Sequence, residues 1–288
     1  MKFLVCTDGS ERSMAVLPHA ARLAKTAGAQ LVLMRVLDER VDAAGVVSPK
    51  LEDAVAAVER EWKRSLESQL ETAGLSGATV IAKRAWGKEV ADAIRDTADE
   101  TGAGLIALAS RGAGAIRHAL LGSVAMGVIS RADVPVLTTG ARVGSPGTGA
   151  GYHLLVTSDG SADSRSVFEG LRGLLSAGRI KVTLIEVVTP KPGETDIAAK
   201  WRATETLTAL LKRLPDGVDA DVEARVAPLG ADIDAAISAA GRELGADAIA
   251  MATHGHSARR HLVAGSTALG VLANGELPVI LVKSRPVD

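Results

Sequence analysis

Two stretches of this sequence carry residue types that could cradle a phosphate. ASRGAGAIRHALLGS spans residues 109–123, and ATHGHSARRHLVAGS spans 252–266. Each runs from small residues through a basic stretch to a Gly-Ser that opens an apolar, helix-like segment. The start of a helix offers unpaired backbone N–H groups and partial positive charge, which suit a phosphate. Gly112 and Gly122 in the first stretch, and Gly255 and Gly265 in the second, let the backbone approach a ligand closely. Ser123 and Ser266 add hydroxyl donors, and Arg111, Arg117 and His118 are basic groups beside the first stretch. The same glycines also suit an ordinary strand-to-helix turn, with Ser123 as a helix cap. From these residues alone, cradle and turn both stand.

Asp8-Gly9-Ser10 and Asp159-Gly160-Ser161 each follow an apolar run. Such an aspartate can meet a ligand or bond its own backbone two positions on, and one residue can do both. Histidines 254, 256 and 261 cluster in the second stretch, but no Cys or paired carboxylate completes a metal-ligand set there. A surface or phosphate-facing role is expected for them, with no metal. Known catalytic signatures are missing. Gly87-Lys88 is followed by Glu89 rather than Ser or Thr, no Gly-x-Ser-x-Gly elbow occurs, and GAGAIR at 112–117 lacks the third glycine of a dinucleotide fingerprint. No catalytic residue is assigned.

The elements that must position these residues occur twice. FLVCTDGSERS at 3–13 matches LLVTSDGSADS at 154–164, TGAGLIALASRG at 101–112 matches LGADAIAMATHG at 244–255, and LGSVAMGVISRADVPVL at 121–137 matches AGSTALGVLANGELPVI at 264–280. Repeats this long are domains rather than solenoid units. Residues 1–141 and 152–288 are the expected domains, with 142–151 as a Gly/Pro-rich, flexible linker. Within each copy apolar runs alternate with amphipathic segments, which implies a parallel, doubly wound sheet with right-handed crossovers. In the second copy the strands and helices are expected at 153–158, 161–177, 180–188, 196–214, 219–227, 230–245, 247–253, 265–275 and 277–283. Pro18, inside the first helix, should kink it. Trp62 and Trp201 align between the copies and read as core or interface packing.

Composition narrows the class further. The 288 residues are 47% hydrophobic but only 2% aromatic, so the cores must be aliphatic and Ala-rich. A net charge of −1 argues against a dedicated nucleic-acid or anionic-membrane protein. The single cysteine, Cys6, lies in an apolar run and reads as a buried structural thiol. No stretch reaches the roughly 20 apolar residues of a membrane span, and the N-terminus lacks a signal-peptide core, so a soluble cytoplasmic protein is expected.

In an open parallel sheet, ligands bind beyond the carboxyl ends of the strands where strand order reverses. The DGS after strand one, the Gly and Gly-Ser separated by nine residues, and the closing Pro-Val-Leu or Pro-Val-Ile together resemble the universal stress protein family, over both halves. That resemblance implies two tandem five-stranded parallel α/β domains, Rossmann-like, with strand order 3-2-1-4-5. It implies an adenine nucleotide, ATP with or without Mg2+, bound by a nucleotide-responsive regulator with at most slow hydrolysis.

By position, the implied nucleotide contacts are Thr7, Asp8, Val36, Ala109, Arg111, Gly112, Gly122, Ser123 and Val124 in the first copy. In the second they are Ser158, Asp159, Val187, Ala252, Gly255, Gly265, Ser266 and Thr267. Asp8 and Asp159 would meet the nucleoside, Val36 and Val187 would lie by the adenine, and the Gly/Ser loops would hold phosphates. The nucleotide-binding branch has glycine where this chain has Ala109 and Ala252. Two other functions therefore remain in view. A ligand-free scaffold would have its site closed by those two methyls. A pyrophosphatase-type enzyme of the related fold is kept in view by the partial likeness of DGSADS, and would release AMP and pyrophosphate. For assembly, the resemblance implies antiparallel pairing of 134–139 with 277–283, so that one chain mimics a homodimer; a further homodimer of chains is compatible with this.

Overall fold

The computed structural model of this chain describes residues 1–38, 51–72, 75, 78–85, 88–110, 121–149, 151–253 and 264–284. The first half contains β1 (Lys2–Cys6), α1 (Glu11–Met14), α2 (Leu17–Ala27), β2 (Gln30–Leu37), α3 (Leu51–Thr72), β3 (Thr79–Arg84), α4 (Val90–Thr101), β4 (Ala103–Ala109), α5 (Ser123–Arg131) and β5 (Val136–Thr139). The second contains β6 (Tyr152–Thr157), α6 (Ala162–Ala177), β7 (Ile180–Val188), α7 (Asp196–Leu211), β8 (Ala220–Val226), α8 (Ile233–Glu243), β9 (Ala248–Ala252), α9 (Ser266–Asn274) and β10 (Val279–Val282).

All ten strands form one sheet in the order β3-β2-β1-β4-β5-β10-β9-β6-β7-β8. Each half is parallel and reads 3-2-1-4-5, as expected. At the centre β5 and β10 pair antiparallel, with Val136 opposite Leu281, Leu137 opposite Ile280, and Thr138 opposite Val279. The strands alternate between two cores because successive side chains point to opposite faces. Phe3, Val5, Leu137, Leu154 and Ile280 enter the core covered by α2, α3, α6 and α7. Leu4, Cys6, Val136, Leu155 and Val279 enter the other, covered by α4, α5, α8 and α9. Alanines 199, 203, 240, 248 and 250 are fully buried, which lets helices sit close on the sheet with almost no aromatic filler. Cys6 is buried, and desolvation pushes its thiol far above the usual range, so it stays protonated and inert.

Local chemistry explains the helix ends. Ser10 and Ser161 cap α1 and α6 by accepting from the backbone N–H groups of Ser13 and Ser164. The expected kink at Pro18 is a full break. Pro18 falls in the first turn of α2, where its missing N–H has no intrahelical partner to lose. Its counterpart Glu169 sits inside α6, which runs unbroken for 16 residues. The two tryptophans differ in their surroundings, and Trp201 is not a core residue. The Arg35 guanidinium lies 3.3 Å over the Trp62 ring, whereas Trp201 is 67% exposed. The counterpart of Arg35 is the buried Glu186, which offers no cation for a stack.

Candidate functional site

The loop after each first strand is held by a small hydroxyl network. In the first half Thr7 Oγ1 and Ser13 Oγ lie 2.7 Å apart, and the Gly9 N–H donates to Thr7 Oγ1 at 2.9 Å. Ser13 Oγ donates to the Ser10 carbonyl at 2.9 Å. The second half repeats this through Ser158 and Ser164 at 3.1 Å, Gly160 N–H to Ser158 Oγ at 3.1 Å, and Ser164 Oγ to Ser161 O at 3.0 Å. The turn needs its glycine, since Gly9 and Gly160 have φ of +83° and +73°. A Cβ on Gly9 would also lie 2.5 Å from Arg35 Nη1. Asp8 and Asp159 use the turn chemistry open to them, each accepting through Oδ1 from the backbone N–H two residues on, Ser10 at 2.9 Å and Ser161 at 3.0 Å. Both carboxylates remain at the exposed mouth.

Sequence reasoning missed Ser13 and Ser164, because a serine in the first turn of a helix usually reads as a solvated residue. Removing the buried hydroxyl of Ser164 strands its partner. Ser164→Ala should therefore lower stability by about 1–2 kcal/mol, measured by urea unfolding; a loss below about 0.5 kcal/mol would deny the network a structural role.

The second crevice wall is the junction of β4 with α5, and of β9 with α9. Gly122 N–H donates to Ser110 O at 2.7 Å, and Gly265 N–H donates to Thr253 O at 2.5 Å. These bonds pinch the base of each Gly/Ser loop against the strand end. Gly122 and Gly265 are the N-caps, with extended backbone and no side-chain cap hydrogen bond, so Ser123 and Ser266 fall one place inside the helix. Neither helix has an acidic residue in its first turn, unlike α1, α4, α7 and α8. The first turn thus keeps its positive end unneutralised.

In the second half these parts enclose a cavity of about 190 Å³. Ser158, Asp159, Val187, Ala252, Gly265, Ser266 and Thr267 all line it, which brings together every described residue expected there. The remaining wall is largely apolar: Ile185 from β7, Met251 from β9, and Ile233 and Ile237 from α8. No sequence signal separates these four from ordinary core positions. Among the described residues, Asp159 is the one ionisable side chain in that lining. The described lining therefore offers an apolar slot for a flat ring, with hydroxyls and helix N–H groups beside it.

In the first half Thr7 and Asp8 just after β1, Val36 on β2, Ala109 at the end of β4, and Gly122, Ser123 and Val124 at the start of α5 occupy the matching positions. Arg111, Gly112, Arg117 and His118, and likewise His254, Gly255, His256 and His261, lie outside the described residues. Among the described residues no group of three His, Cys, Asp or Glu side chains could hold a metal, and no helix is long and apolar enough to cross a membrane.

Two doubly wound α/β units, the second with a recess of about 190 Å³ at the carboxyl ends of its strands, define a tandem protein of the Rossmann-like class. Comparison with known proteins gives the family. The model of the universal stress protein family matches residues 1–139 and again 152–283, and the chain belongs to that family. Universal stress protein YxiE of Bacillus subtilis (strain 168) is 34% identical over 143 residues, 47% of this chain and 96% of that protein. A universal stress protein structure from Archaeoglobus fulgidus DSM 4304 shares the fold at 23% identity and a TM-score of 0.64, covering 99% of this chain and 97% of that one. One from Pseudomonas aeruginosa UCBPP-PA14 does so at 18% identity and a TM-score of 0.62, covering 98% and 93%. Shorter family structures, matching 48% and 46% of this chain with TM-scores of 0.33 and 0.32, were solved in complex with cAMP and with dAMP.

Proposed function

We propose that this protein binds an adenine nucleotide, ATP in the first instance, at the carboxyl ends of its strands and acts as a nucleotide-responsive regulator in the cytoplasm. The observation that supports this most is the convergence on one cavity of Ser158, Asp159, Val187, Ala252, Gly265, Ser266 and Thr267. In this reading Val187 and the isoleucines flank the base, Asp159 meets the ribose, and the start of α9 takes the phosphates. Thr7, Asp8, Val36, Ala109, Gly122, Ser123 and Val124 do the same in the first lobe, with Arg111, Gly112 and Gly255 completing the loops. Mg2+ is an optional companion of the phosphates. Binding regulates by favouring one of two conformations for which the nucleotide has different affinity. The domains are 1–141 and 152–288, joined by 142–151. Their β5–β10 pairing serves as a pseudo-dimer within one chain.

The test is calorimetric titration of the full chain with ATP, AMP, cAMP and dAMP, with melting temperature as a second readout. Binding of at least one nucleotide with a rise in melting temperature is expected. Silence in both assays with all four would leave the ligand-free scaffold. The methyl of Ala252, 8% exposed and on the cavity wall, is the feature that favours that second reading. Release of AMP and pyrophosphate from ATP would instead mark a pyrophosphatase.

A further inference from the structure

The linker has no regular secondary structure, yet it is tied down along its length. His19 Nε2 meets the Gly144 carbonyl at 2.8 Å. Arg22 Nη2 donates to the carbonyls of Gly149 and Gly151 at 3.4 and 2.7 Å. His19 and Arg22 stand about one turn apart on α2, so they face the same way. Arg22 also pairs with Asp247 at the foot of β9 and lies 5.3 Å over the Tyr152 ring at the foot of β6. Asp247 in turn accepts from the His153 N–H at 2.8 Å. One guanidinium thus touches a helix of the first lobe, the linker, and two strands of the second lobe.

The repeat provides an internal comparison. On the other flank of the β5–β10 seam, the counterparts of His19, Arg22, Tyr152 and Asp247 are Gly170, Gly173, Met1 and Gly104. Those four residues line an open cavity of about 280 Å³. The side chains that fasten the first flank thus have no equivalents at the four matching positions of the other.

The fastening holds a titratable group. His19 is 6% exposed, and Nε2 must carry the hydrogen that meets the Gly144 carbonyl, so a second proton would go to Nδ1. The charged groups facing the ring are Arg22 on its own helix and Asp247 just before β9, and the Tyr152 phenol beside them is kept un-ionised by burial. Desolvation, first, and the Arg22 charge disfavour the imidazolium; the Gly144 carbonyl and Asp247 favour it. The balance holds His19 below its ordinary range. Lifting the linker is the simplest way to hydrate a protonated ring.

We propose that the linker is a strap that docks on α2 only while His19 is neutral, and that protonating His19 releases it and loosens this flank of the seam while both lobes stay folded. The sign follows from the direction of the shift. Docking is at full strength above the ordinary histidine value and is lost as pH falls through the lowered one.

The test is 15N relaxation of the full chain at about pH 7.5 and about pH 4.5. Backbone order parameters over 141–149 should fall from about 0.8 to below about 0.6 at the lower pH, with β1 and β6 unchanged. In His19→Gln the amide still donates to Gly144 but cannot titrate, and the pH step should vanish. Arg22→Ala should loosen 141–149 at both pH values; where it fails to fold, His19→Gln alone decides. Equal order in the wild-type strap at both pH values, a step that survives His19→Gln, or loss of order in β1 and β6 together with the strap would each overturn the proposal.

Discussion

Ala252→Leu should weaken ATP binding in the second lobe by about 100-fold or more, equivalent to about 2.7 kcal/mol. Ala252 ends β9 and lines a cavity of only about 190 Å³. A leucine adds three carbons into that space, between the strand end and the start of α9. Since the added carbons enter an existing recess and the core stays intact, melting temperature should move by no more than a few degrees. The companion variant Ala252→Gly removes the methyl that departs from the family's nucleotide-binding pattern, and should raise affinity by about threefold to tenfold, or about 0.6–1.4 kcal/mol. Calorimetry of the full chain reads both, with the first lobe as an internal reference. Unchanged affinity in Ala252→Leu would mean the nucleotide binds elsewhere.

The second large effect concerns the seam. Ile280 and Leu137 are directly opposite each other across β10 and β5, both 0% exposed and both in the core that spans the two lobes. Ile280→Ala removes three fully buried carbons, which costs about 2–5 kcal/mol. Because the two side chains are cross-strand partners in one core, Ile280→Ala and Leu137→Ala should not add, and a double-mutant cycle should give about 0.5–3 kcal/mol of coupling. Urea unfolding provides the free energies. Strict additivity would show that the two lobes are merely adjacent and do not share a core.

Much of this fold was legible because parallel strands buried on both faces leave continuous apolar runs, and because each run occurred twice. The expected strand at 180–188 is β7, Ile180–Val188. The helix expected at 230–245 is shorter, Ile233–Glu243, since Gly230 takes φ +83° and Asp232 becomes the N-cap. Site residues with a glycine, hydroxyl or carboxylate signature were legible as well. Ile185, Ile233, Ile237 and Met251 were not, for an apolar side chain at a cavity wall has the same periodicity as one in the core. Composition read 142–151 as flexible, but the bonds that hold it run from His19 and Arg22 to backbone carbonyls. Every residue has a carbonyl, so no linker residue type could announce them. The tryptophans diverged because alignment reports ancestry of position, whereas the stack depends on a neighbour that changed from Arg35 to Glu186.

The antiparallel junction of β5 with β10 has a geometric consequence. Strands of the two lobes run in opposite directions across one sheet, so their carboxyl ends open at opposite edges of the molecule. A ligand held at the strand ends of one lobe would therefore sit beside the amino ends of the other lobe's strands.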